Sequence, residues 1–321
     1  MPVILNDLRG HRDPDLMMDV WTRTLLELAK EDRSLVVLDS APEPGRGAGH
    51  FADKNPTRYF DCGPNARQMV GIGAGLAAAG KRVFGAVSAD SVERDAAAIL
   101  RLAVLPKASM VLAGLDPGVI CGLNAGPVLS CRDGAAFRGV PGVTILDPAD
   151  PVQLRTLLRG SPDREGLTYL RLPRRDVKKV YESGSTFAVG RMPVLMEGSD
   201  VTIVASGVVL DEALQAAEQL AGEGISAAVL DGFSWQPLDR ETLALWAGRT
   251  GAVVTAENHS RTGGLGTAVA EALAELCPVP LERAAVPDGF AGRAVASALM
   301  DRCALRAPDI AAAVRRVMER K

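Results

Sequence analysis

The sequence predicts an α/β protein built as two parallel-sheet, three-layer domains in series. Three observations carry that expectation. Short apolar runs of strand length alternate with segments whose apolar residues recur at helical spacing. The alternation breaks once, in a polar and basic stretch from Pro173 to Ser199, and then resumes. The length of 321 residues suits two domains.

Taken in order, residues 16–30 place Met17, Val20, Trp21, Leu25 and Leu28 on one helix face, with Asp15 positioned to cap it. LVVLD (Leu35 to Asp39) reads as a buried strand ending on a carboxylate. A Gly- and Ala-rich helix follows over 67–79, then a strand over 82–87, a helix over 92–105 and a strand over 109–114. After a loop rich in Gly, Pro and Cys come a strand over 143–146, a helix over 151–158 and a strand over 167–172. The second unit alternates strands at 201–207, 226–232, 252–257 and 281–286 with helices at 211–222, 240–247 and 265–276, and a last helix begins near Pro308. The expected boundaries are 1–178 for the first domain, 179–198 for a linker and 199–321 for the second domain.

Composition excludes several classes. Apolar residues at 47% and charged residues at 23% argue against disorder and fibrous repeats. With 36 Lys+Arg against 39 Asp+Glu the net charge is -3, and no basic segment balances an acidic one, so a nucleic-acid partner is not expected. No apolar stretch reaches the ~18 residues of a membrane span and the amino terminus lacks the order of a signal peptide, so a cytoplasmic chain without a membrane partner is expected. Five scattered cysteines without a CxxC, and three separated histidines, give no metal site within this chain.

In open parallel sheets ligands gather at the carboxyl ends of strands. That rule directs attention to Asp39, the segment after Phe60, Ser88 to Glu93, the loop from Asp116 to Arg132, Ser206-Gly207 and Glu257 to Gly266. For each of these an ordinary connecting loop is the plainer reading.

At YFDCGPNARQMVGIGAGLAAAGK (Tyr59 to Lys81) the chain resembles the transketolase superfamily, specifically the carboxyl-terminal half of transketolase or the second subunit of a split transketolase. The likeness runs on through VPGVTILDPAD (Val140 to Asp150), YLRLPR (Tyr169 to Arg174), SWQPLD (Ser234 to Asp239) and TAENHSRTGGLGTAVAEALAE (Thr255 to Glu275). It implies a pyrimidine domain followed by a transketolase C-terminal domain, and thiamine diphosphate with Mg2+ as cofactor. In the family, diphosphate and metal are held by a separate domain with Gly-Asp-Gly and paired-asparagine motifs, and neither occurs in this chain. The resemblance therefore implies a shared site, a partner corresponding to the amino-terminal half in an α2β2 assembly, and a small sugar or keto substrate. Asp39, Gly63, Asn65, Arg67, Gln68 and Ser88 are the residues it sets against the cofactor.

The signature is broken where the chemistry is decided. Aligned without gaps on Gly63, the family's activating glutamate is replaced by Ala66. In the family that carboxylate bonds the pyrimidine N1′; loss of ordinary acid–base assistance costs ~100- to 10,000-fold in rate, about 3–5 kcal/mol. The segment that normally stacks an aromatic on the pyrimidine reads Val87 to Asp95 without one, and Val128 takes the place of a substrate-facing histidine. Asp61, Asp90 and Glu93 are the nearby acids that could replace the missing carboxylate; for Asp90, Ser91 and Glu93 a position at a helix amino terminus is the competing reading. Arg67 suits either an anionic substrate, a partner contact or a solvated first turn. His50, in a loop expected to be flexible, is a candidate proton carrier or an exposed side chain. His259 is expected to order the loop after its strand, and Gly263 to Gly266 to admit close packing of the following helix rather than a phosphate. Three functions stay open: a transketolase-like subunit moving a two-carbon ketol or related acyl unit, a catalytically degenerate partner that stabilises or regulates a catalytic chain, and a deoxyxylulose-synthase-like or E1-beta-like acyl-transfer subunit.

Overall fold

The computed structural model describes residues 2–40, 48–120, 129–161, 165–287, 292 and 294–321. Helix α1 (Met17–Glu31) buries Met17, Trp21, Leu25 and Leu28 against β1 (Leu35–Asp39) and its neighbours. Its cap differs from the expectation: Leu16 takes the N-cap position without a side-chain hydrogen bond, and Asp15 instead pairs with Arg23 in the second turn of the helix. Next come α2 (Ala48–Lys54), β2 (Tyr59–Asp61), α3 (Ala66–Ala78), β3 (Arg82–Ser88) and α4 (Ala89–Ile99), whose end widens into one π-helical turn over 100–104. Then follow β4 (Met110–Leu115), the short α5 (Ala135–Arg138), β5 (Thr144–Leu146), α6 (Pro151–Gly160) and β6 (Leu167–Leu172).

The second half adds β7 (Val194–Met196), β8 (Val201–Ala205), α7 (Leu210–Ala221), β9 (Ala227–Asp231), β10 (Ser234–Gln236), α8 (Arg240–Thr250), β11 (Val253–Ser260), α9 (Leu265–Leu276), β12 (Leu281–Val286), α10 (Ala296–Arg302) and α11 (Ala307–Met318). Two sheets result, in the orders β10-β5-β6-β4-β3-β1-β2 and β12-β11-β8-β9-β7. Each is parallel except for one antiparallel edge strand, β10 in the first and β7 in the second. The central strands are buried on both faces, as a sheet covered by helices requires. None of the described helices is long and apolar enough to cross a membrane.

The halves share one polar seam as well as apolar core. β10 leaves the second half and pairs with β5, Ser234 opposite Leu146. Behind it Arg171, fully buried, donates from Nε to Asp133 Oδ2 at 2.8 Å, from Nη2 to Asp133 Oδ1 at 3.1 Å and to the Asn258 carbonyl at 2.8 Å. Its guanidinium lies 4.7 Å from the Trp235 ring and 3.3 Å from Asp147. Tyr169 donates to Asp133, and Ser206 to Asp147, each at 2.8 Å. Residues from both halves thus close around one cation.

The stretch between the halves is tied down. Val180 and Tyr181 donate backbone N–H groups to Asp150 Oδ2, and the amino-terminal segment bridges to the same stretch at Leu5–Tyr181 and Arg12–Lys178. The Tyr181 hydroxyl and the Gln153 amide both donate to Asp231 Oδ2, at 2.5 and 2.6 Å. Burial, opposed by those two hydrogen bonds, raises the Asp231 carboxyl from 3.8 to about 7.

Two outcomes follow from these networks. Asp133→Ala removes the carboxylate that Arg171 engages through two hydrogen bonds, leaving Asp147 at 3.3 Å as its remaining acid, and is expected to cost about 3 kcal/mol in urea unfolding. Folded Asp231 keeps a proton where the unfolded chain has released it, so its contribution is full below the ordinary carboxylate range and is lost as pH rises towards 7. Asp231→Asn is therefore expected to flatten the fall in melting temperature between about pH 4 and pH 7. The flattening is partial, because burial raises Asp150 and Asp147 in the same direction.

Candidate functional site

The carboxyl edge of the first sheet carries most of the candidates. β1 ends on Asp39, buried to 3% exposure, with the Tyr59 hydroxyl 3.4 Å from its Oδ2. Burial, reinforced by the Asp39 charge, pushes the Tyr59 phenol well up. From β2 the chain turns at Gly63, which adopts φ 64 and donates its N–H to Asp61 Oδ1 at 2.9 Å. A side chain at that φ is strained, so the turn into α3 explains this glycine. Asn65 caps α3 by accepting the Gln68 N–H at 3.0 Å, leaving both side chains at the exposed helix start.

Ala66 lies one residue inside that cap and is 1% exposed, its methyl packed in the core cluster that holds Met69 and Val70. Of the nearby acids, Asp61 accepts the Gly63 N–H beside the helix start and the others pair with arginines. Arg67 pairs with the buried Asp95 of α4 at 2.9 Å. Asp90 lies 3.4 Å from Arg94, and Ser88 and Ser91 share a 2.9 Å hydrogen bond across the first turn of α4. Glu93 accepts from the Arg132 Nε at 2.6 Å and from Ser130 at 3.2 Å. Asp90 and Glu93 do lie in the first turns of a helix, yet their partners are arginines and a hydroxyl rather than the helix's own N–H groups.

Two expectations are corrected or fall away. His50 is not in a loop: it lies in α2, exposed, 3.8 Å from Asp53 at i,i+3. Val128 lies outside the described residues. Arg171 lies in the YLRLPR stretch, Ser130 and Arg132 in the loop from Asp116 to Arg132, and Asp95 at the end of the segment from Val87, but no spacing in the sequence marks their pairing with Asp133, Glu93 and Arg67, which emerges only when α3, α4 and the loop before α5 are brought together.

In the second domain the Gly-rich turn is already filled by a side chain. The buried Glu257 carboxyl accepts the N–H groups of Leu265 and Gly266 at 2.6 and 2.8 Å, filling the amino terminus of α9, and burial, opposed by those two hydrogen bonds, raises its pKa to about 8. A Cβ on Gly264 would overlap that carboxylate, which accounts for the glycine by close packing, as expected. His259 is fully buried, accepts the Ala135 N–H at Nε2 (3.3 Å) and directs Nδ1 to the Ser260 carbonyl (2.9 Å), a geometry that sets the Nδ1–H tautomer. Burial pushes its pKa down to about 4, so it is neutral and positions the loop instead of carrying protons.

A thiamine ring activated in the usual way needs a carboxylate where Ala66 places a methyl, and its diphosphate needs oxygen ligands and a metal. Among the described residues no group of three or more His, Cys, Asp or Glu side chains could hold a metal ion. The residues of this chain alone do not fit that cofactor.

Sequence comparison identifies the parts. Residues 16–179 match the transketolase pyrimidine binding domain and residues 190–310 the transketolase C-terminal domain. The chain belongs to the transketolase family. It is 38% identical over 306 residues to the 6-deoxy-6-sulfo-D-fructose transketolase subunit SqwH of Clostridium sp., covering 95% of each chain. A solved split gene transketolase, described as an inactive beta4 tetramer, superposes with a TM-score of 0.87 at 36% identity over 95% of this chain and 98% of that one. The 1-deoxy-D-xylulose-5-phosphate synthase of Syntrophotalea carbinolica is 33% identical over 308 residues, and there the match spans 48% of the relative. This family member thus corresponds in extent to the carboxyl-terminal half of full-length relatives and to nearly the whole of split subunits.

Proposed function

We propose that this chain is the C-terminal-half subunit of a split, thiamine diphosphate-dependent transketolase-like enzyme. It works with an amino-terminal-half chain in an α2β2 assembly to move a two-carbon ketol unit between small sugar or keto substrates. The observation that carries this reading is the joint one: both domains match along their length to a split subunit, while the chain holds no Gly-Asp-Gly motif, no paired asparagines and no described metal cluster. A diphosphate and Mg2+ need oxygen ligands and a helix amino terminus, and the partner is the source of both. On this reading Asp39, Gly63, Asn65, Arg67, Gln68 and Ser88 form the pyrimidine side of the shared pocket. Asp90, Glu93 and His50 are kept as candidates for proton transfer once the partner is seated.

The Ala66 methyl favours a second reading, a degenerate subunit that stabilises or regulates a catalytic chain. The relative described as an inactive tetramer of beta chains supports the need for a partner under either reading. A deoxyxylulose-synthase-like or E1-beta-like acyl-transfer role shares the same two domains and is separated from ketol transfer by the products formed.

Calorimetry of the isolated chain with thiamine diphosphate and Mg2+ is expected to show no binding; tight binding by this chain alone refutes the shared pocket. In the reconstituted pair, Ala66→Glu is expected to raise ketol-transfer turnover by at least about 100-fold if acid–base assistance is what the natural site lacks. Unchanged turnover in a variant folded by circular dichroism shows that another group already supplies it.

A further inference from the structure

A second concave site lies at the carboxyl edge of the five-stranded sheet, apart from the residues assigned to the pyrimidine pocket. Where β11 and β12 end, a cleft of about 170 Å³ is bounded by the end of α10 and by α11. Among the described residues that line it are Arg261, Arg283, Arg302 and Arg316, with Asp309 as the one carboxylate. Asp309 is already engaged, its Oδ2 accepting the Arg306 N–H in a capping box. Arg316 approaches Glu282 only at 3.7 Å, and Arg283 donates one N–H to the Arg261 carbonyl at 2.9 Å.

Several exposed arginines elsewhere are matched to acids: Arg155 pairs with Glu27, Arg240 with Glu275, Arg315 with Glu223 and Arg320 with Glu282. Among the described residues Arg261, Arg283 and Arg302 have no carboxylate partner, and these three converge in one cleft of a chain whose net charge is -3. Guanidinium groups gathered in a concave site repel one another unless an anion sits among them, and the concavity focuses their field. Their planar N–H forks suit a tetrahedral oxyanion.

We propose that this cleft is an anion-binding site in the C-terminal domain that takes the phosphate group of a phosphorylated small molecule. The helix amino terminus nearby does not compete for that role, because Glu257 occupies it. Arg261 and Arg302 are exposed and grip the phosphate from the rim, while the half-buried Arg283 lies deeper. Because the rim is open to solvent, binding weakens as salt rises.

The test uses the full chain. Melting temperature is measured as chloride is replaced, at constant ionic strength, by inorganic phosphate in one arm and by glycerol phosphate in the other. A rise is expected in both, with the larger rise identifying the source of the anion. The Arg261→Gln, Arg302→Gln double variant is expected to weaken phosphate binding by about tenfold or more, while Arg191→Gln, on a different exposed pair, leaves it intact. Phosphorus-31 line broadening on the unaltered chain reads the same binding without any substitution. Absence of broadening, no rise beyond chloride, or a rise that survives in the double variant overturns the proposal.

Discussion

The arrangement of the two domains depends on one buried guanidinium. Arg171, at the end of β6, touches Asp133, Asp147, the Asn258 carbonyl and the Trp235 ring, and these come from both halves of the chain. Taking a cation and two carboxylates out of water is costly, and the mutual attraction offsets that cost only with close geometry and further hydrogen bonds. Tyr169 and Ser206 supply them. Burial and the attraction of Arg171 act in opposite directions on Asp133, and its carboxyl ends below the ordinary range. Lysine is a poor substitute, because its three donors radiate from one nitrogen and do not reproduce the planar fork that meets both oxygens of Asp133 side-on while reaching the Asn258 carbonyl. The seam fixes orientation, and orientation sets where the sheet's carboxyl edge faces.

At the carboxyl edge of the first sheet, Gly63 makes a left-handed turn and Asn65 caps α3, which sets Ala66 in the first turn of that helix. The neighbouring acids have been drawn into pairs with arginines, Asp95 with Arg67, Asp90 with Arg94, and Glu93 with Arg132. These pairs tie α3, α4 and the loop before α5 to one another at the edge.

The long elements were legible because periodicity reports burial: α1, α3, α7, α9 and the five-residue strands β1, β8 and β9 carry it clearly. Of the three-residue strands, β5 was expected within 143–146 from its mostly apolar run, while β2, β7 and β10 were not, since their pairing is set by tertiary context. His50 looked like a loop residue because the seven-residue α2 is too short to show a face. In the site, Gly63 and Asn65 were marked by the family resemblance alone, and the turn and helix cap they form came with the structure. Asp95 and Arg132 were not, because their partners are distant in sequence and the alignment of α3 with α4 carries no local mark. Asp15 was misjudged because a cap depends on backbone angles, and Leu16 takes that geometry.

The antiparallel strand β10 gives the molecule a property that its serial domain order conceals. A chain that lends a strand to its neighbour's sheet is not modular: severing it in the connecting stretch would strip β5 of its partner and bare a row of backbone donors and acceptors. Such an uncovered margin invites sticking between molecules. The two domains are therefore poor cassettes for recombination, and evolution is constrained to trade them as a unit.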